Sequence, residues 1–160
     1  MNDVLYIDSP YFLDFLSDNY TERVYARKVK ERLMHFKVII PQIVLGEVMS
    51  IIVRDYGDDL ISLKKKIDAL ANELTTLIDP KQCLPVLEKK HLSHMEYLMT
   101  TCNISPTDAC VMSIAIDDPN SGFLITSDAE ISDSTCIYEY QNLLVTNGKR
   151  SELVKITDMP

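Results

Sequence analysis

The sequence predicts a three-layer α/β/α domain, with a central, mostly parallel sheet covered by helices on both faces and an added helical hairpin. Short β-rich runs alternate along the chain with stretches of helical periodicity, the order that builds a parallel sheet. Those runs (VLYI, KVII, FLIT) are mostly continuous apolar stretches rather than alternating ones, as in strands buried on both faces. Between the second and third of them lies a long leucine stripe with no strand inside it, which is read as the hairpin.

Taken in order, residues 3–7, DVLYI, form a strand that ends at Asp8. Ser9 and Pro10 then open a helix, the serine as cap and the proline at the first helical position. Residues 21–36 make a second helix, amphipathic and basic on its outer face. KVII, 37–40, is a buried strand stopped by Pro41. The helix that follows, QIVLGEVMSIIVRDYG, has almost no polar face and is read as buried. Leu60, Leu63, Ile67, Leu70, Leu74 and Leu77 are spaced alternately three and four apart, and Asp79-Pro80 ends that helix. A partner helix over about 85–101 completes an antiparallel hairpin within 58–101. SPTDACVMSIAI, 105–116, is a helix, and FLIT, 123–126, a buried strand. Residues 134–147 are a helix again, and LVKIT, 153–157, is the last strand. No repeat, low-complexity segment or internal boundary appears, so 1–160 is read as one domain.

Composition sets limits on function. Apolar content of 46% and charged content of 25% are ordinary for a globular protein. No apolar run approaches the ~20 residues of a membrane span, and MNDVLYID has no basic region leading into an apolar core, as an export signal would. Cys83, Cys102, Cys110 and Cys136 have no CxxC spacing, and the expectation is reduced thiols in a cytoplasmic protein. A net charge of −8 argues against avid, nonspecific binding to nucleic acid or anionic membrane. It leaves room for an enzyme whose acids gather around metal ions. Against the overall trend, Arg23, Arg27, Lys28, Lys30, Arg32 and Lys37 crowd one stretch, and Arg23, Arg27 and Lys30 are weak candidates for phosphate contacts with RNA.

The carboxylates carry the functional reading. Glu47 sits in mid-helix with Ile43 and Ile51 four residues away on its own stripe, and an unpaired carboxylate taken out of water costs several kcal/mol. VLYI runs into Asp8, and FLIT runs through Ser127 into Asp128. If both strands are parallel, both aspartates lie beyond their carboxyl ends, where parallel sheets form sites. Ser105 caps a helix with Pro106 at its first position, and Asp108 in the first turn continues into the apolar face of Met112 and Ala115, pointing at the sheet. Four carboxylates in one cleft repel one another, and without cations some must stay protonated; oxygen ligands without His or Cys suit Mg²⁺ or Mn²⁺ rather than zinc. Such an ion lowers the pKa of a bound water and neutralises a departing phosphodiester oxygen.

Asp8-Ser9 after the first strand, Glu47 in a "GE" helix, Asp108-Ala109 opening a helix and "TSD" with Thr126 and Asp128 after a strand resemble a PIN domain in order, spacing and context. The resemblance spans nearly the whole chain, with 58–101 its most variable part. It implies a metal-dependent endoribonuclease fold, found in VapC-type toxins of toxin–antitoxin pairs and in RNA-processing nucleases. Carried over, Asp8, Glu47, Asp108 and Asp128 are the catalytic, metal-binding acids, with Thr126, or else Ser127, as a hydroxyl behind them. The partners implied are an RNA substrate, a second copy of the chain in a homodimer and, for a toxin, a small antitoxin protein. Ala129-Glu130-Ile131 departs from the commonest pattern, which has a further aspartate and an aromatic there.

The rival reading is a catalytically inactive PIN-like module that binds protein or RNA, its hairpin serving as a scaffold. An acidic phosphatase of similar topology is weaker, because no aspartyl nucleophile signature such as DxDx[TV] follows the first strand. His91 and His94, three apart, lack a nearby third ligand for a zinc site and are read as structural. Lys64-Lys65-Lys66 is read as a solvated face, and Tyr11 as core rather than as a base-stacking ring.

Overall fold

The computed structural model describes residues 4–79 and 81–159. Asp3, assigned above to the first strand, and Pro80, assigned to a helix end, lie outside them. Strands β1 (Val4–Ile7), β2 (Lys37–Ile39), β3 (Ser121–Ile125) and β4 (Lys155–Thr157) form one sheet in the order β2-β1-β3-β4. Every pairing is parallel. Leu5, Tyr6 and Ile7 are all buried although successive side chains point to opposite faces, so β1 is covered on both. The three-layer α/β/α expectation holds.

The helices are α1 (Ser9–Leu16), α2 (Tyr20–Leu33), α3 (Gln42–Tyr56), α4 (Leu60–Leu77), α5 (Leu92–Thr100), α6 (Pro106–Asp117), α7 (Ala129–Ser132) and α8 (Thr135–Thr146). Helix α6 is the central one. Every residue from Ala109 to Ile116 is buried, as an all-round apolar helix requires. Its carboxyl end is closed by Arg150, a buried guanidinium that donates to the carbonyls of Ala115, Ile116, Asp118 and Ser121 and, through Nε, to Glu152. One planar fork thus satisfies carbonyls that a helix terminus leaves without partners.

Several expectations change. The cap of α1 is Asp8, not Ser9: its carboxylate accepts from the Ser9 N–H, and Ser9 is already helical. Helix α3 is not buried all round. Only Val44, Val48 and Ile52 are buried, while Ile43 and Val53 are exposed. The two helices of 58–101 do not form a mutual hairpin. Helix α4 packs on α3 and α1, and α5 on α6. The link between them includes residues 81–88. It is fastened across the start of α3 by the Gln42 N–H to Pro85 carbonyl bond (2.9 Å) and to β2 by Gln82 donating to the Val38 carbonyl (2.9 Å). The second helix accordingly starts at Leu92, after a 3-10 turn over Lys89–His91.

The cysteines differ too: Cys102 and Cys136 are disulfide-bonded, leaving Cys83 and Cys110 as free thiols. Their separation of 34 residues gave no local spacing signal; the fold brings the α5–α6 link against α8. Lys66 is not on a solvated face. It turns inward to the Leu16 carbonyl and Asp18 and lies 4.8 Å from the Tyr56 ring centroid.

Candidate acidic site

The strand order explains where a site forms. The chain leaves β1 for β2 on one side and returns as β3 on the other, so the connections diverge at the β1–β3 boundary. Open parallel sheets bind ligands in the crevice beyond the carboxyl ends of the strands at such a reversal. The ladder continues one step past each strand end. The Asp8 N–H donates to the Ile125 carbonyl (3.0 Å) and the Thr126 N–H to the Thr157 carbonyl (3.0 Å), which fixes Asp8 and Thr126 side by side at that edge.

Asp8 is almost wholly enclosed, at 1% exposure. One carboxylate oxygen accepts from the Ser9 N–H (2.8 Å) and the other from the Thr126 hydroxyl (2.9 Å). The same Thr126 oxygen accepts the Asp128 N–H (3.1 Å), so this buried threonine joins the two aspartates. Burial raises the Asp8 carboxyl to about 6; the bonds from Ser9 and Thr126 oppose the rise, and the charges of Asp108 and Glu47 add to it. Asp128 caps α7, accepting the Glu130 N–H (2.8 Å). Ser127 beside it is exposed and Glu130 is exposed.

Asp108 stands at the start of α6 as the capping pattern required. The Ser105 hydroxyl accepts the Asp108 N–H (3.3 Å) and donates to its carboxylate (2.6 Å). Burial raises the Asp108 carboxyl above the ordinary range; the Ser105 bond lowers it, and the charges of Asp128, Glu47 and Glu130 raise it further. Glu47, halfway along α3, supplies the most telling atom. Its Oε2 is fully buried and has no hydrogen-bond partner among the described residues. Buried polar atoms are nearly always paired, and this one lies in the field of two other carboxylates.

The side chains that could hold a metal here, Asp8, Glu47, Asp108 and Asp128, offer only hard carboxylate oxygens. Among the described residues no three His, Cys, Asp or Glu side chains are arranged to hold a metal ion directly.

Other residues singled out from the sequence go elsewhere. Lys30 is tied to Glu73, and Arg23 donates to the Ser17 carbonyl (2.8 Å), while Arg27 is exposed. Tyr11 is buried and donates to Glu73 (2.5 Å). His91 accepts the Glu88 N–H on Nδ1 (2.9 Å) and faces Asp117 through Nε2 (3.4 Å), and His94 contacts the Tyr140 hydroxyl (2.7 Å). Glu73 was overlooked. It is 2% exposed and sits on the Leu70–Leu77 stripe, so the test that singled out Glu47 would have found it. Its cation is internal: Lys30 of α2.

A PIN-domain family model matches residues 5–134, from β1 through α7, which takes in all four acids. No curated protein matches the chain. The family match covers most of the sequence, and the four-stranded, all-parallel sheet flanked by helices agrees with it: this chain belongs to the PIN-domain family.

Proposed function

We propose that this protein is a divalent-metal-dependent endoribonuclease that cleaves RNA phosphodiester bonds at the edge formed by Asp8, Glu47, Asp108 and Asp128. The PIN domain is a nuclease-type fold. The observation that carries the finer reading is the buried, unpartnered Oε2 of Glu47, facing a group of acids rather than a base.

Glu47, Asp8, Asp108 and Asp128 would hold Mg²⁺ or Mn²⁺, some directly and others through its waters. The bound ion supplies an activated water and charge neutralisation at the phosphate. The chain's own contribution is orientation. Thr126 fixes Asp8 and the backbone of Asp128 together, Ser105 holds Asp108, and the Val44–Val48–Ile52 stripe seats α3 so that Glu47 faces inward.

Single-stranded or loop RNA is the proposed substrate, because the acids lie in a crevice at a sheet edge. A homodimer is proposed on the exposed apolar Leu60, Ile61 and Val53 where α3 meets α4. Either role, toxin paired with a small antitoxin or RNA-processing nuclease, is compatible with this site. A cytoplasmic location belongs to the same proposal; no helix among the described residues is long and apolar enough to cross a membrane.

The rival, a binding module with vestigial acids, draws on the lack of a ready three-ligand set. Pure protein incubated with single-stranded RNA separates the two. Cleavage is expected with Mn²⁺ or Mg²⁺ and none with excess EDTA. Undiminished cleavage in EDTA sinks the metal mechanism, and RNA bound but left intact with both ions favours the rival.

A further inference from the structure

Half of the acidic site lies inside one covalent ring. Cys102, in the link between α5 and α6, is bonded to Cys136 in the first turn of α8. The ring between them contains Asp108, Thr126 and Asp128, whereas Asp8 and Glu47 lie outside it on α1's cap and α3. The tethers are short. Only the link residues, the Ser105 cap and the first turn of α6 separate Cys102 from Asp108, and only the single-turn α7 and its flanks separate Asp128 from Cys136. Helix α7 has one buried side chain, Ile131, to seat it.

The bridge is not the sole bond between α5 and α8. The Tyr97 and Tyr140 rings stack with centroids 4.1 Å apart, and His94 contacts the Tyr140 hydroxyl at 2.7 Å. Opening the bridge therefore leaves α8 docked through Tyr140 in its second turn and Ile137, buried in its first, and removes only the covalent tie that closes the ring around α6 and α7. Both bonded cysteines are half-buried, so a thiolate can reach them. In cytoplasm, the compartment proposed above, disulfides are mostly transient and redox-sensing.

We infer that the Cys102–Cys136 bridge is a redox-operated brace, holding Asp108 and Asp128 in place when closed and loosening them when reduced. Its effect on catalysis rests on the nuclease reading; the loosening itself does not. The opening reaction is thiol–disulfide exchange with a dithiol reductant of the thioredoxin class. The reductant's thiolate bonds to one cysteine sulfur and expels the other, which takes up a proton. Its second thiol then displaces the first sulfur, which is protonated in turn. Two electrons and two protons pass to the pair, and the reductant leaves as a disulfide.

The test compares the full chain oxidised, reduced with dithiothreitol, and as the Cys102→Ser/Cys136→Ser variant. Measured are free thiols, amide hydrogen exchange, Mn²⁺ binding by calorimetry, and RNA cleavage. Oxidised protein is expected to show two free thiols and reduced protein four. Exchange across 103–112 and 126–136 is expected to quicken roughly tenfold on reduction, with the rest of the sheet still protected. Mn²⁺ affinity and cleavage are expected to fall in the reduced protein and in the variant, and dithiothreitol to have no effect on the variant. The inference is overturned by four free thiols in oxidised protein, by equal exchange in both states, by global unfolding on reduction, or by a dithiothreitol effect that persists in the variant. If exchange and Mn²⁺ binding respond to reduction while oxidised protein leaves RNA intact, the brace stands and the nuclease reading fails.

Discussion

Two glutamates with the same local sequence environment, Glu47 half-buried and Glu73 buried, have opposite partners. Glu47 and Glu73 each sit on an apolar helical stripe, and from sequence alone each asks for a cation. Glu73 receives a proton donor from Tyr11 and an ion pair from Lys30, so its charge is answered within the fold. Glu47 has an oxygen that nothing in the described chain answers. Shape-conserving substitutions should therefore split. Glu73→Gln leaves Lys30 without its counter-charge; because Lys30 is a quarter exposed and can reach water, the cost is expected to be roughly 1–3 kcal/mol, below that of a fully buried pair, with Mn²⁺ affinity kept. Glu47→Gln is expected to leave the melting temperature unchanged or raised, and to weaken Mn²⁺ binding at least roughly tenfold, as the loss of even an outer ligand does. Calorimetry and thermal melts of both variants decide it. A Glu47→Gln protein that melts well below wild type yet binds Mn²⁺ equally well would reverse the assignment.

At the scale of elements, what was legible followed from short-range pattern. Apolar runs end at Asp8 and at Ser127-Asp128, and Ser105-Pro106 marks the start of α6, so the strand ends and the α6 cap are readable from the sequence. Contacts set by the sheet order were not legible. The leucine stripe of α4 fits a partner helix of any origin, and its packing on α3 and α1 is set by the tertiary fold rather than by the stripe. Arg150 gave no signal either, because the carbonyls it joins at the end of α6 and in β3 lie 29 to 35 residues earlier, which no side-chain pattern reveals. Its role makes a sharp expectation. Lysine keeps the charge but cannot reproduce a planar fork reaching several carbonyls at once. Arg150→Lys is expected to cost about 2–3 kcal/mol in urea unfolding, the scale of buried acceptors left unmet. A loss within the ~0.5 kcal/mol of an ordinary surface change would mean that α6 is closed by other groups.

The whole molecule carries net charge −8 with its most enclosed carboxyl raised rather than lowered, and this combination fixes how stability must vary with pH. Asp8 titrates near 6 when folded and near 3.8 when unfolded, so between those values the folded state holds more protons. Stability then falls as pH rises through that window, by ~3 kcal/mol from Asp8 alone at 1.36 kcal/mol per unit. Asp108 and Asp14, also raised by burial, act in the same direction. Asp18, whose carboxyl is lowered by bonds from Lys66 and Tyr56, and Asp59, lowered chiefly by Ser62, act oppositely, but their contribution is lost only as pH drops below about 4. The metal-free protein should therefore be most stable at mildly acid pH and decline towards neutrality. A divalent cation binds the ionised carboxylates and competes with protons, so its stabilisation should grow across the same window, reaching about 2.7 kcal/mol at a free concentration one hundred times its Kd. Thermal melts from pH 4.5 to 7.5, with and without Mn²⁺, check both halves. A metal-free melting temperature that climbs between pH 4.5 and 6 would show that Asp8 is ionised at no cost to the fold. Curves that Mn²⁺ leaves unmoved at pH 7 would mean that the acids beyond β1 and β3 repel one another without holding an ion.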